Sequence, residues 1–463
     1  MIGVSTCGIT FSLLHDRGDN PEKNEQRKEK GVANRKDQTV ARLQSCGPRK
    51  SAHHPNTPIS MKPRSFVLLL AFISLAAKLY CAATTLGTSD VGIFSIFARS
   101  IHEGGLIEMY KSTQYFNHTP FVGWFLEAIH ALSGGNVWVF AFLLRLPAIF
   151  ADMGAVLTLL WLRDKTGRPA WWALALFAAS PVAFMVSGYH GNVDSVMAMF
   201  VLMAAAACTT ERAILCGLAF GLSCNVKIVP LLLAPAFVFF WWKRGHLVQF
   251  GAASALCILA GWSLPLLTIP AVFLKDVLGY GSVWGVWGIP YFLRMSGIAA
   301  FGGIAMFEPT RAQSAVMLAL KVIIIPSVIV IAWRRRGMES IKIFQTLALV
   351  WAVFFVFAPG FGAQYLVWLA PCFLVASESW YAALTLCSSV ALFIFYNAIS
   401  NGMPWMMGFN LLSTASLWTR WLVLPWAVLV CFLIHQTRAA RALDNHIAQI
   451  PADLLADSSP INR

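Results

Sequence analysis

The chain has 463 residues, 58% of them hydrophobic and only 12% charged, with 33 Phe, 18 Trp and a net charge of +14. No soluble domain of this length has an interior large enough for so much apolar surface, and repeated apolar runs of about 18 residues or more mark membrane-spanning helices. The positive charge is dispersed among those runs, as basic cytoplasmic loops and contact with anionic lipid require, and is not gathered into the stripe of a nucleic-acid binder.

In chain order, residues 1–60 stand apart. Sixteen of them are Lys, Arg, Asp or Glu and no apolar period is sustained, which is the composition of a disordered basic extension. Met61-Lys-Pro-Arg64 then precedes an apolar run, so translation is expected to start at Met61. The run 65–83 is too long for the apolar region of a signal peptide and reads as a retained span. A transmembrane domain is expected over 61–436 and a cytoplasmic tail over 437–463.

Twelve candidate spans follow: 65–83, 137–161, 170–187, 195–209, 212–226, 228–242, 247–269, 313–333, 342–358, 364–378, 380–399 and 417–436. The fold class expected is therefore an all-α polytopic membrane protein of about twelve transmembrane helices. Arg163–Arg168, Glu211-Arg212, Lys243-Arg244, Arg334–Arg336 and Arg438–Arg441 belong on the cytoplasmic side with Lys62 and Arg64. They all land there on one condition: the helix over 120–132 must not cross, so the first outer loop, 84–136, carries interfacial helices. Both termini are then inside. The loops 84–136, 188–194, 270–312, 359–363 and 400–416 share the outer face. The ten cysteines include no C-x-x-C pair, and most lie in spans, where they pack as small hydrophobes.

Ionisable groups in or beside a bilayer are costly and mark candidate sites. Seven fall on the outer side: Asp90, Arg99, His118, Arg145, His190, Asp194 and Lys227. Asp90 ends the first span's outer turn. It suits a general base for an acceptor hydroxyl, and equally an N-cap for a helix over Val91–Arg99. Ser187-Gly-Tyr-His-Gly-Asn-Val-Asp-Ser195 interrupts an apolar run with His190, Asn192 and Asp194; a structural turn with a capping Asp is the plain alternative, but three such groups together at a membrane surface ask for more than a turn does. Arg145 and Asp152 share one helix face two turns apart, so they either neutralise each other or leave the guanidinium for a phosphate. Lys227 stands between two short spans, able to meet the same anion or a structural partner. Gln364 offers hydrogen bonds, whereas Tyr365, Trp368, Trp284, Trp287 and Tyr291 read as interfacial aromatic anchors. There is no P-loop, dinucleotide glycine fingerprint or H-E-x-x-H pattern, and so no visible site for a soluble nucleotide donor.

Taken together, Ser89-Asp90 with Phe97-Ala-Arg99, Thr119–Trp124, Arg145-Leu-Pro147, Gly191–Ser195, Lys227…Pro230 and Gln364–Trp368 resemble the GT-C-fold glycosyltransferases that use polyprenyl-phosphate sugars. The nearest resemblance is to the first mannosyltransferase of GPI-anchor assembly and its bacterial relatives, over residues 65 to 370. The resemblance implies a GT-C-like fold in the plasma membrane with the active site on the outer face. It implies an inverting transfer of a hexose, mannose favoured, from a lipid-linked donor to a lipid, glycan or protein acceptor. Asp90 would be the base. Arg99, His118, Arg145, His190, Asn192, Asp194, Lys227 and Gln364 would bind substrate, with Arg145 and Lys227 on the leaving phosphate. The family's first loop often reads Asp-x-Asp. Here it is Thr88-Ser-Asp90, and the missing second carboxylate argues for a metal-independent mechanism with no cofactor. Two other classes share the cations: a transporter or flippase of a lipid-linked saccharide, which would place ionisable groups at the midplane, and a non-catalytic subunit, which would tolerate changes at Asp90 and Asp194.

Overall fold

The computed structural model describes residues 61–278, 283–305 and 308–448, the last six without their side chains. The expected extension over 1–60 lies outside the described residues, as does the tail beyond 448.

The described chain is helical almost throughout. Helix α1 (Pro63–Thr84) begins with proline in its first turn, where the missing N–H costs nothing. Three helices then fill the first loop: α2 (Ser89–Gly104), α3 (Leu106–Ser112) and α4 (Pro120–Ser133). At about 1.5 Å per residue, the fourteen residues of α4 fall short of the roughly 30 Å hydrocarbon thickness. It ends at Gly134 in the left-handed conformation and is not among the helices long and apolar enough to cross a membrane. Helix α5 (Val137–Thr166) is capped by Asn136, whose side chain accepts from the amides of Trp138 and Val139.

The rest of the bundle comprises α6 (Trp171–His190), α7 (Asp194–Thr209), α8 (Ala213–Val226), α9 (Val229–Lys243) and α10 (Leu247–Thr268). Then follow the short α11 (Gly288–Met295), α12 (Arg311–Arg334), α13 (Ser340–Phe357), α14 (Ala363–Ala376), α15 (Glu378–Ile399) and α16, which starts at Ala415. The last helix runs on to Ala448, so the tail expected from 437 begins as a continuation of the final span. Eight helices are long and apolar enough to cross a membrane; α7, α8, α9 and α14 are shorter apolar helices. These twelve segments correspond to the twelve expected spans, but four fall below spanning length.

Side-chain contacts sort the connections into two ends. At one end Arg64 pairs with Asp164 at 2.5 Å, and the amide of Ala170 donates to Glu378 at 2.5 Å. Arg244 there donates to the carbonyl of Met338, Arg335 to Gln345, and Gln345 to Gln436. These are the basic connections expected on the cytoplasmic side. At the other end a two-residue parallel pairing joins β1 (Gly87–Thr88) to β2 (Met407–Gly408), and Tyr189 meets Ser400 at 2.7 Å. Segments far apart in sequence are thus drawn together around one cavity.

Two expectations fail inside the bundle. Arg145 does not pair with Asp152. Instead Lys78 of α1 meets Asp152 at 2.6 Å, and Ser187 donates to the same carboxylate oxygen. Trp284, Trp287 and Trp368 are not interfacial anchors but fully buried. Trp287 stacks on Phe361 with centroids 4.0 Å apart and donates to the carbonyl of Phe355 at 2.6 Å. An indole whose N–H finds a partner is as well placed in a core as in a headgroup region.

Candidate active site

The cavity has a volume of about 730 Å³, and three of the four short helices stop at it. Val226 ends α8, Val229 starts α9 and Ala363 starts α14, and all three line its wall, while Asp194 at the start of α7 holds the wall lysine Lys227. Shortening these helices sinks the cavity below the end of the bundle.

Asp90 enters from α2. The cap of that helix is Thr88, whose hydroxyl oxygen accepts from the Asp90 amide and donates to the carbonyl of His190. The capping role considered for Asp90 therefore belongs to its neighbour, which leaves the carboxylate for the cavity. Two glycines allow this approach. Gly87 (φ +83°) lies so near the Tyr189 carbonyl that a Cβ would stand 2.7 Å from it. Gly191, also at φ +83°, would place a Cβ 2.4 Å from Val91. Before Gly191 the α6 backbone widens into a π-helical turn over Phe184–His190, a distortion frequent at functional sites.

The result is a carboxylate held by one oxygen. Asp90 Oδ2 lies 3.0 Å from His190 Nε2 and accepts from Asn192 Nδ2 at 3.0 Å. Among the described residues no donor reaches Oδ1. His190 Nδ1 stands 3.0 Å from the Tyr396 hydroxyl. With Asp90 ionised, Nε2 must carry the proton facing it, so a neutral His190 accepts from Tyr396 at Nδ1. Burial alone would raise the Asp90 pKa. His190, Asn192 and Lys227 together outweigh it and hold the carboxyl below the ordinary carboxylate value.

Lys227 supplies a cation on the same wall. Its ammonium lies 2.7 Å from Asp194 Oδ1 and within 5.0 and 5.4 Å of the Tyr365 and Trp368 ring centroids. Trp368 Nε1 donates to the same Asp194 oxygen at 2.5 Å. Asp194, for which a cap in a turn was the alternative to a binding role, makes no cap; it is the first residue of α7 and anchors Lys227. Breaking a buried pair by removing one partner costs about 3–5 kcal/mol, so Asp194 holds Lys227 in place without facing the cavity itself. Gln364 and His118 complete the wall. His118 packs 4.9 Å from the Phe94 ring. Burial and the nearby Lys227 charge push its pKa down to about 3 against the opposing pull of Asp90, so the imidazole is neutral.

Six of the nine expected site residues thus line one cavity: Asp90, His118, His190, Asn192, Lys227 and Gln364. Asp194 stands immediately behind it. Arg145 and Arg99 do not reach it. Arg145 is fully buried and donates to the carbonyls of Ala82, Ala141, Thr85 and Gly188 and to the Thr85 hydroxyl. Those bonds tie α1 to α5 and α6, and the donors are spent on backbone. Arg99 is exposed on the outer side of α2. Sequence reasoning overlooked Tyr396, Lys78 and Lys321, each a polar group interrupting an apolar run, which was the available signal.

A metal would need several free oxygen or nitrogen donors converging on one point. Asp90 Oδ2 and both nitrogens of His190 are engaged with each other and with Tyr396 and Asn192, which leaves Asp90 Oδ1 as the free donor of that group. Among the described residues no three His, Cys, Asp or Glu side chains are grouped to hold an ion.

Residues 112–244 match the model of a family described as alpha-(1->6)-mannopyranosyltransferase, N-terminal domain. They are therefore similar to the N-terminal domain of a glycosyltransferase family. That stretch includes His118, Arg145, His190, Asn192, Asp194 and Lys227; Asp90 and Gln364 lie outside it and are brought to it by the fold. It is shorter than the 65–370 over which the motifs resemble GT-C enzymes. Among solved structures the chain is similar to ArnT from Cupriavidus metallidurans bound to undecaprenyl phosphate, with 15% identity over 84% of this chain and 81% of that one and a TM-score of 0.44. No curated protein matches the chain.

Proposed function

We propose that the protein transfers a hexose, with inversion, from a polyprenyl-phosphate donor to a hydroxyl acceptor on the outer face of the plasma membrane. The observation that carries this reading is Asp90, fixed through Oδ2 and open at Oδ1, in one cavity with Lys227. The family name supports mannose as the sugar and an α-linkage in the product. Inversion then requires a β-linked donor.

In the step proposed, the acceptor hydroxyl gives its proton to Asp90 Oδ1 as its oxygen bonds to the anomeric carbon. The bond from that carbon to the phosphate oxygen breaks, and its electron pair leaves with the polyprenyl phosphate. Lys227, pinned by Asp194, stabilises the growing phosphate charge; preorganised groups of this kind are worth about 3–4 kcal/mol each. His190 and Asn192 keep the base oriented and its pKa low, which favours an ionised base at neutral pH at the expense of basicity. Gln364 offers hydrogen bonds to sugar hydroxyls. No step in this scheme draws on a metal. The outer-face placement rests on the basic connections at the opposite end of the bundle.

The test is transfer from β-linked polyprenyl-phosphate mannose by the purified protein, with the product linkage read by NMR. An α-linked mannose supports the proposal; a β-linked product, or transfer from a soluble nucleotide sugar instead, overturns it.

A further inference from the structure

We infer that Lys321 binds the phosphate of the lipid-linked donor from within the bilayer, with the start of the prenyl chain against the apolar residues that line the same cavity. The inference rests on the reading of the site as one for a polyprenyl-phosphate sugar, and assigns a phosphate contact that the motif pattern did not include.

Lys321 lies ten residues into α12, about 15 Å along its axis and so near half the hydrocarbon depth. This helix has the highest mean hydropathy of the eight long spans, 2.7, and the smallest buried share, 22%. A lysine at the centre of a lipid-facing helix costs about 2.5–3.5 kcal/mol on insertion scales. The other lysine inside a described span that is withdrawn from lipid, Lys78, is neutralised by Asp152. Lys321 has no such compensation: among the described residues no acceptor or carboxylate meets its ammonium, and its residue lines the cavity. Lys227, the cation expected to hold the phosphate, already shares its charge with Asp194.

The walls around Lys321 indicate what kind of anion fits. The cavity is lined by polar and charged groups that include Asp90, His190, Gln364, Lys275 and Asp276 and by apolar ones that include Leu232, Phe354, Ile324 and Ile325, the two isoleucines one turn from Lys321 on the same helix. Helices α9 and α12 are pinned together at their far ends, where Trp333 lies 5.3 Å from Phe239 and 5.4 Å from Trp242. At the near end the same two helices flank the cavity through Leu232 and Lys321. A sugar, a phosphate and a long isoprenoid chain present polar, anionic and apolar parts, and the lining of the cavity offers hydrogen-bonding groups, the Lys321 cation and apolar side chains to meet them.

The experiment uses full-length protein in phosphatidylcholine nanodiscs, with undecaprenyl phosphate as the probe and undecaprenol and phosphatidylglycerol as controls. Binding of undecaprenyl phosphate should weaken about tenfold in Lys321→Met, as loss of one charge-assisted contact implies, and recover in Lys321→Arg. Undecaprenol binding should not change. In the transfer assay the donor KM should rise to a similar degree while the acceptor KM stays the same. Loss of phosphate-dependent binding in Lys321→Met with normal binding in Lys321→Arg supports the inference even if the wild type transfers no sugar, a result that would count against the transfer reading alone. Equal affinity of wild type and Lys321→Met for undecaprenyl phosphate would overturn it. So would competition by phosphatidylglycerol as strong as that of undecaprenyl phosphate, or failure of Lys321→Arg to recover binding while remaining monodisperse.

Discussion

Two clusters of charge lie within the same bundle, and they are built on opposite terms. The first joins α1, α5 and α6: Lys78 neutralises Asp152, Ser187 donates to that carboxylate, and Arg145 turns its guanidinium onto backbone carbonyls. The second joins α2, the end of α6, the start of α7 and α14 around the cavity, and it is left incomplete. Among the described residues Asp90 keeps a free oxygen there, and Lys321 has no carboxylate or acceptor at its ammonium. The presence of an ionisable residue in a membrane bundle therefore says less than the state of its hydrogen bonds. A satisfied cluster ties helices together, and an unsatisfied one facing a cavity is available to a substrate.

The sharpest way to break this contrast is to mutate one member of each cluster and ask which property fails. Asp90→Asn should lower transfer by about a hundredfold to ten-thousandfold, the range typical of a general base, without loss of folded protein. Arg145→Met should do the reverse. It leaves several buried carbonyls without donors, at about 1–3 kcal/mol each, so the yield of monodisperse protein in detergent should collapse. A well-folded Arg145→Met enzyme with a raised donor KM would restore Arg145 to the phosphate site.

A subtler version tests pairing directly. Lys78→Met or Asp152→Leu alone should destabilise by about 3–5 kcal/mol, while the double variant should recover much of that loss, because replacing both charges removes the orphan. Thermal unfolding of the three variants measures this, and equal destabilisation by the double and single changes would refute it. Smaller still is the expected effect of Tyr396→Phe. Without the hydroxyl, Nδ1 of His190 has no donor and the imidazole orientation loosens, so kcat should fall about tenfold at unchanged stability.

The pH dependence sharpens the picture of Asp90. Its folded pKa is depressed, so the carboxylate stays ionised through about pH 5–8, and the stability it contributes is lost only as the pH falls through that lowered value. His118 is already neutral until about pH 3. Neither group should give the rate profile an acid limb in the range from pH 5 to 6.5. A limb there that moved in Asp90→Glu would show that the carboxyl titrates above the ordinary carboxylate value and would contradict the lowered one.

Much of the site was legible because the chemistry of a bilayer makes exceptions conspicuous. Asp90, His190, Asn192, Lys227 and Gln364 break apolar runs, and one topological condition, a non-crossing helix over 120–132, sends them to the same end. In the structure α4 occupies that stretch as a helix of fourteen residues. What could not be read was partner choice. Arg145 and Asp152 share a face of one helix, but Lys78 on α1 stands nearer in space, and a seven-residue spacing gives no information about a neighbouring helix. Trp368 looked like an anchor because an aromatic at a span's end usually is one; its indole N–H instead meets a buried carboxylate from a helix more than 170 residues away in sequence. Span counting had a similar limit. The four short helices were apparent as short apolar runs, but that three of them end at one cavity is a property of the assembled bundle.

Transfer of mannose from its polyprenyl-phosphate donor by Asp90→Asn in lipid nanodiscs, followed in a single turnover beside a thermal melt of the same sample, bears most directly on this account. A rate reduced at least a hundredfold in a protein that melts as the wild type does is the predicted result. Wild-type turnover by that variant would contradict the account, for it would mean that the free carboxylate oxygen facing the cavity takes no proton.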